Sequence, residues 1–175
     1  MEETVLKGTQ VYNTPGEYTF TVPRYNKMSA KVIGAGGGGA GGSTAYVAWY
    51  PGGSGSAGGV TNFFDLVAMP GEGGGPTPSN YNGKPGTASG GITNVEGGGA
   101  FGGPGGSGNG TGPSGDGGPG GFCSTQWLWG DQDTPTINQV IKFKVGEGGA
   151  GGGGSGQGGG PGGPGAPGAV EISWS

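Results

Sequence analysis

Two carboxylates, Asp131 and Asp133, lie beside Trp127 and Trp129, and this is the part of the sequence best suited to chemistry. A pair of carboxylates can hydrolyse a glycosidic bond, and tryptophan rings can hold a sugar. Carboxylates two residues apart in one loop rarely face each other across a bond, so we interpret these residues as binding candidates. The chain has no histidine, which removes the usual general base and the commonest metal ligand. We therefore expect a protein that is not an enzyme.

Other chemical motifs are weaker. The glycine-rich segments lack the terminal Gly-Lys-Ser/Thr of a phosphate loop and none opens a helix, so no nucleotide site is predicted. Asp65 and Asp116 could belong to a calcium site, but the spaced oxygen ligands that calcium needs are not visible. Cys123 is the only cysteine, so it cannot form a disulfide within the chain, and we interpret it as a small buried residue. No cofactor or metal is predicted.

Charge argues against several partners. The net charge is −4, and the seven Lys and Arg residues form no cluster in the sequence, which disfavours nucleic-acid binding. The segment MEETVLKG at positions 1–8 does not resemble a signal peptide, and no stretch approaches the length of a membrane span. We expect synthesis in a cytosol and no membrane insertion.

Glycine dominates the composition, with 53 glycines among 175 residues, while hydrophobic residues make up 29%. Such a chain is usually disordered, because it cannot bury enough apolar surface to offset its conformational entropy. Here only 10% of residues are charged and the apolar residues cluster in strand-like patches, which favours an ordered structure. Backbone hydrogen bonds, each contributing about 1 kcal/mol, must then supply much of the stability.

A glycine occupies every third position from Gly153 to Gly168, with proline at 161, 164 and 167. This period is typical of a polyproline-II-type backbone, which makes no internal hydrogen bonds and needs neighbouring chains as partners. Because shorter runs recur throughout the sequence, we expect those neighbours in the same chain. The shorter runs contain glycines 36, 39 and 42, then 52, 55 and 58, then 102, 105 and 108, then 115, 118 and 121.

Alternating or β-branched segments separate the glycine tracts and predict strands. The predicted strands are 16–22, 29–35, 44–50, 60–69, 90–95, 137–145 and 169–174, and the tracts are 36–42, 52–59, 97–121 and 146–168. The fold class is therefore mostly β and irregular: short antiparallel strands in a small sheet or sandwich alternate with glycine-rich polyglycine-II helices packed in a bundle, with essentially no α-helix. We expect one domain, 1–175, with a hairpin region (1–35), the tracts (36–168) and a closing strand (169–175).

Four motifs carry a family resemblance, and the first and last of them do not consist mainly of glycine. They are G-x-Y-x-F-x-V-P at 16–23 followed by V-x-G-A-G-G-G-G at 32–39, V-G-x-G-G-x-G-G at 145–152, and G-A-V-x-I-x-W at 168–174. In these motifs and their order the chain resembles the glycine-rich domain of bacteriophage tail-fibre proteins. It also resembles, in its alternation of glycine tracts and loops, the tip adhesins of T-even-like phages, whose receptor-binding head consists of packed polyglycine-II helices joined by variable loops.

The resemblance implies a virion protein of the tail fibre, made in the host cytoplasm, that binds a bacterial surface receptor without turnover. The receptor would be an outer-membrane protein or a polysaccharide, and other tail-fibre or virion proteins would be partners. A homotrimer is compatible with the symmetry of fibres, but the regular tract is short for a collagen helix. Packing of tracts within one chain is therefore favoured.

Recognition is expected on the loops that join a rigid scaffold. Three segments supply aromatic and polar side chains for it: 122–136, 76–85 and the aromatic run near 46–50. The contact candidates are Phe122, Trp127, Leu128, Trp129, Asp131 and Asp133 in the first, Asn80, Tyr81 and Asn82 in the second, and Trp49 and Tyr50 in the third. The same aromatic residues could instead cover the sheet or pack between subunits.

Two other functions remain open. A purely structural virion component would cap or assemble a fibre without touching the host, and it would bury the 122–136 segment against another chain. A polyglycine-II antifreeze protein would need outward rows of Thr, Ala or Val, whereas this chain has prolines and scattered serines at those positions.

Overall fold

The computed structural model describes residues 5–45, 49–76, 82–107, 114–156 and 158–175. These residues contain strands and irregular segments but no α-helix, and hence none long and apolar enough to cross a membrane. In chain order the strands are β1 (Gly8–Tyr12), β2 (Gly16–Thr21), β3 (Lys27–Ile33), β4 (Thr44–Ala45), β5 (Trp49–Tyr50), β6 (Thr61–Phe63), β7 (Leu66–Ala68), β8 (Ala88–Ser89), β9 (Thr93–Val95), β10 (Phe122–Leu128), β11 (Val140–Val145) and β12 (Ala169–Trp174).

Ten of the strands described form two five-stranded antiparallel sheets. Sheet A has the order β1-β12-β3-β10-β9, and sheet B has the order β2-β11-β6-β7-β8. Strands β4 and β5 pair with each other in a separate hairpin. The fold is therefore all-β, as the alternating segments predict.

The two sheets share one hydrophobic core. Along β11 the residues alternate between exposed and buried. Similar alternation in β3 and β12 buries Val32 and Ile172. Aromatic rings from β2, β11 and β6 of sheet B meet inside, with the Phe63 ring centroid 5.3 Å from that of Phe143 and 5.9 Å from that of Phe20. A modest set of apolar residues thus suffices for a small sandwich.

The strand predictions are confirmed at 16–22, 29–35, 137–145 and 169–174 to within a few residues. The prediction of one strand over 60–69 is wrong, because a turn at Phe64, whose φ is 53°, divides it into β6 and β7. The predicted strand 44–50 contains β4 and β5, and its residues 46–48 lie outside the described residues. The predicted loop over 122–136 is wrong for Phe122–Leu128, which is strand β10 between β3 and β9.

Residues 34–42, here called the central tract, leave β3 and are buried throughout. Their N–H groups donate in rotation to three segments, and their carbonyl groups accept in rotation from three others. Donor to acceptor, the outgoing pairs are Gly36–Ala166, Gly39–Gly163 and Gly42–Gly160, then Gly37–Gly118 and Ala40–Gly115, then Gly38–Ser56 and Gly41–Gly53. The incoming pairs are Gly149–Gly36, Gly152–Gly39 and Ser155–Gly42, then Gly71–Ala35 and Gly74–Gly38, then Ala100–Gly34, Gly103–Gly37 and Gly106–Ala40.

Six segments therefore surround the central tract, and the partner changes with a period of three residues. The approach is so close that a β-carbon at Gly36, Gly37, Gly38, Gly39 or Gly41 would overlap a backbone carbonyl of a neighbouring segment. Glycine is required here for space, because any side chain would push two backbones apart.

The segment 159–168 shows how the sequence period produces this packing. Gly162 and Gly165 donate to segment 146–155, whereas Gly163 and Ala166 donate to segment 101–107. The third position of each triplet is exposed and holds Pro161, Pro164 or Pro167. Proline has no N–H, so it occupies the one direction in which no hydrogen-bond acceptor is present.

Candidate functional site

The glycine tracts have ends remote from the sheets, and the described residues there are 43–45, 49–51, 75–76, 82, 107, 114, 155–156 and 158–159. We call this region the loop end. The tract ends contact one another: Thr44 Oγ1 lies 3.0 Å from Ser155 Oγ, and the Gly160 N–H donates to the Ser107 carbonyl at 2.7 Å. Segments that are distant in the sequence are thereby brought together at the loop end.

A second set of bonds ties Asn82 and Asp116 to neighbouring segments at the loop end. The carboxylate of Asp116 accepts from the N–H of Gly105 at 2.7 Å, and the Asp116 N–H donates to Oδ1 of Asn82 at 3.0 Å. The Ser114 hydroxyl also donates to the Gly106 carbonyl. These polar side chains satisfy backbone groups where the glycine tracts end, which is the role that a loop-positioning residue must perform.

The sequence predicted some of this region. Asn82 and Tyr50 lie at the loop end and are exposed, Tyr50 to 48%. The backbone of Trp49 pairs with that of Ala45. Asn80 and Tyr81 lie outside the described residues. Sequence reasoning missed the polar residues that join the tract ends. The usable signal was a serine, threonine or aspartate beside each tract end. The residues concerned are Ser43, Thr44, Ser107, Ser114, Asp116 and Ser155.

The other predicted contact residues lie elsewhere, in or after β10. Trp127 is 9% exposed, and its ring centroid is 5.9 Å from that of Phe64 and 6.4 Å from that of Phe63. It belongs to the hydrophobic core, because alternate residues of β10 face inward. The expectation that Trp127 is presented on an open loop is therefore corrected. Phe122 is half-buried at the start of the strand.

Leu128 and Trp129 are exposed to 48% and 50% at the end of the sandwich opposite the loop end. The Trp129 N–H donates to the Asn26 carbonyl, and its ring meets that of Tyr25 edge-on with centroids 5.8 Å apart. The predicted contact residues thus divide into two groups at opposite ends of the molecule. A single receptor surface could not include both.

Asp131 and Asp133 occupy an exposed turn after β10. The Asp131 N–H donates to the Leu128 carbonyl, the Thr134 hydroxyl donates to the Asp131 carbonyl, and Asp133 has a φ of 57°. These are features of a tight turn, in which aspartate tolerates the left-handed conformation. Within the described ranges, no group of three His, Cys, Asp or Glu side chains is placed to hold a metal ion.

Cys123 is fully buried on the inner side of sheet A. Burial raises the pKa of its thiol, and backbone hydrogen bonds involving Val67 and Ser89 oppose this to a smaller extent. Its Sγ donates to the Val67 carbonyl at 3.6 Å. The thiol is therefore a protonated packing group, remote from the loop end.

Comparisons of the chain with protein-family models, with curated proteins and with solved structures find no match.

Proposed function

We propose that the glycine tracts are polyglycine-II helices packed as a bundle around the central tract. The three-residue rotation of hydrogen-bond partners supports this, because such a helix has three residues per turn and no internal bonds. The described glycines with positive φ are Gly16, Gly90, Gly97, Gly130 and Gly158, and none lies in the central tract. Six neighbours around one axis correspond to hexagonal packing.

On this scaffold the protein acts as a receptor-binding protein at the tip of a bacteriophage tail fibre. The observation that carries the proposal is that tract ends distant in the sequence contact one another at one end of a backbone-packed body. The central tract consists of glycine and alanine alone, and a β-carbon at most of its glycines would overlap a neighbouring backbone, so sequence variation and recognition fall on the loops. The resemblance to the glycine-rich domain of tail-fibre proteins supports the same assignment, with a bacterial outer-membrane protein or polysaccharide as receptor.

Tyr50 and Asn82 are the contact candidates whose exposed side chains are described at the loop end. Tyrosine supplies a large contact area at a small cost in conformational entropy, and an asparagine amide can both donate and accept hydrogen bonds. Binding would require neither cofactor nor turnover. The protein would be a component of the virion, assembled with other tail-fibre proteins.

The test compares two matched pairs of substitutions at opposite ends. The purified protein, labelled with a fluorophore, is incubated with bacterial strains that differ in outer-membrane proteins and surface polysaccharides, and bound protein is measured by flow cytometry. We expect Tyr50→Ala with Asn82→Ala to weaken binding by about tenfold or more, because two contact side chains are removed. Leu128→Ala with Trp129→Ala should leave binding unchanged.

Circular dichroism and the unfolding midpoint establish that both double variants are folded. If the parent protein binds no strain, or if only the Leu128 and Trp129 substitutions reduce binding, receptor recognition at the loop end is wrong.

A structural role in fibre assembly is the second candidate, and one observation favours it. Large apolar side chains are exposed at the end of the sandwich opposite the loops, namely Leu6 (77%), Val140 (58%), Trp129 and Leu128. Exposed apolar groups in one region often mark a protein contact. A purely structural component would lose assembly on Leu128→Ser with Trp129→Ser, and it would show no binding to cells.

A further inference from the structure

A cleft opens at one side of the sandwich, between the outer strand of each sheet. β1 ends sheet A and β2 ends sheet B, and the two strands form no ladder with each other. The turn at 13–15 joins them and closes one end of the gap. The cleft has a volume of about 430 Å³ and is lined by Gln10, Tyr12, Thr19, Phe20, Thr21, Pro23 and Trp174.

Aromatic rings line this cleft and are held by the core. The Phe20 and Trp174 centroids are 5.8 Å apart, and the Tyr12 ring meets Phe143 edge-on at 4.9 Å. Trp174 extends over Gly8, where any side chain would collide with its indole. The rings are therefore fixed before any ligand arrives, which lowers the entropic cost of binding.

Polar groups surround the rings. The Tyr12 hydroxyl donates to Oε1 of Gln10 at 2.6 Å, which leaves the Gln10 amide N–H groups directed to no partner in the described chain. Thr19 and Thr21 are exposed and alternate along β2 with the buried Phe20. None of the side chains that line the cleft carries a charge.

We propose that this cleft binds a neutral glycan segment. A sugar ring presents an apolar C–H face and a rim of hydroxyl groups, which match an aromatic wall beside amide and hydroxyl groups. The volume lies within the range of small-ligand clefts. An extended peptide fits less well, because the 13–15 turn blocks continuation of a strand along β1 or β2. The site is separate from the loop end, so its occupancy does not depend on receptor binding there.

Saturation-transfer difference NMR with linear neutral tetrasaccharides of glucose, galactose and mannose tests the site, with a sialylated tetrasaccharide and an eight-residue extended peptide as comparisons. We expect at least one neutral tetrasaccharide to bind with millimolar or better affinity. Gln10→Ala and Tyr12→Ala should each weaken tetrasaccharide binding by about tenfold, because each removes one hydrogen-bonding or stacking contact. Gln10 is exposed, so its substitution should not disturb folding.

Two variants separate this site from folding defects and from the loop end. Tyr12→Phe keeps the ring packing and should retain most of the binding, and Tyr50→Ala should retain all of it. Absence of binding by every neutral sugar, binding that Gln10→Ala and Tyr12→Ala leave unchanged, or preference for the peptide would each overturn the proposal.

Discussion

Gly41 lies against the carbonyl oxygen of Gly153, and a β-carbon at position 41 would overlap that oxygen. A β-carbon at Gly153 would meet no atom within 4 Å. Two glycines on adjacent segments therefore have opposite tolerance for alanine.

We expect Gly41→Ala to lower the free energy of unfolding by about 3 kcal/mol, because two packed backbones must separate. Gly153→Ala should change the free energy of unfolding by less than about 1 kcal/mol, because the site has room for a methyl group and alanine restricts the unfolded chain. Urea denaturation of both variants measures the difference. Equal effects at the two positions would show that space at 41 is not limiting.

A buried hydrogen bond in the sandwich gives a second prediction. Tyr25 is 1% exposed, and its hydroxyl donates to the Pro135 carbonyl at 2.6 Å. Tyr25→Phe should cost about 1–2 kcal/mol of unfolding free energy, because the carbonyl loses its partner in a dry environment. Tyr18→Phe is the control, since the Tyr18 hydroxyl bonds to the Thr14 carbonyl at an exposed site, and it should cost less than about 0.5 kcal/mol. Thermal unfolding of both variants distinguishes them.

The Cys123 thiol should respond to pH in a defined direction. Its pKa is raised by burial, so the native state holds the proton more tightly than the unfolded chain does. The contribution of this thiol to the free energy of unfolding is fully present below the pKa of the unfolded thiol. It decreases as the pH rises from that value through the higher native pKa. Between pH 7 and pH 10, Cys123→Ala should therefore lose less unfolding free energy than the parent protein.

A disulfide reagent at pH 8 checks the same property, with native Cys123 reacting about 100-fold more slowly than in urea. Rapid modification of the folded protein would contradict the buried placement.

The outward prolines of segment 159–168 lead to a prediction about association. In the variant with Pro161, Pro164 and Pro167 all changed to Ala, no internal hydrogen bond is lost, but three unpaired N–H groups point outward. We expect the variant to self-associate with increasing concentration, as exposed strand edges do, and to lose about 1–3 kcal/mol through greater freedom of the unfolded chain. Light scattering after gel filtration measures the first effect. A monomeric variant at millimolar concentration would show that the prolines do not prevent lateral contacts.

The sequence predicted the strands best where alternation was long. Val140–Val145 and Ala169–Trp174 alternate cleanly, and the structure contains both. The Gly153 to Gly168 period also predicted a need for neighbouring segments, which the bonds of Gly162 and Gly163 supply. Local periodicity was sufficient in these cases because the direction of the side chain in a strand, and of the N–H group in a glycine tract, repeats regularly along the chain.

Long-range pairing was the part that sequence could not supply. The polar and aromatic residues of Phe122–Leu128 do not alternate clearly, a pattern that indicates a loop, and only pairing with β3 makes the segment a strand. The joining of Thr44 to Ser155 depends on the relative lengths of tracts more than a hundred residues apart. No local pattern determines such a contact.

β12 lies between β1 and β3, so the last strand of the sheets is inserted between two of the first. Sheet A therefore cannot close until residues 169–174 have left the ribosome. The segment 159–168, which provides three acceptors for the central tract, is also translated after every other tract. Until then the growing chain has an incomplete core and unpaired glycine amides, and its many non-local contacts favour slow folding. The sandwich and the bundle should thus reach their native structure only after residues 159–174 have been translated, even though the strands and tracts that they complete are made much earlier.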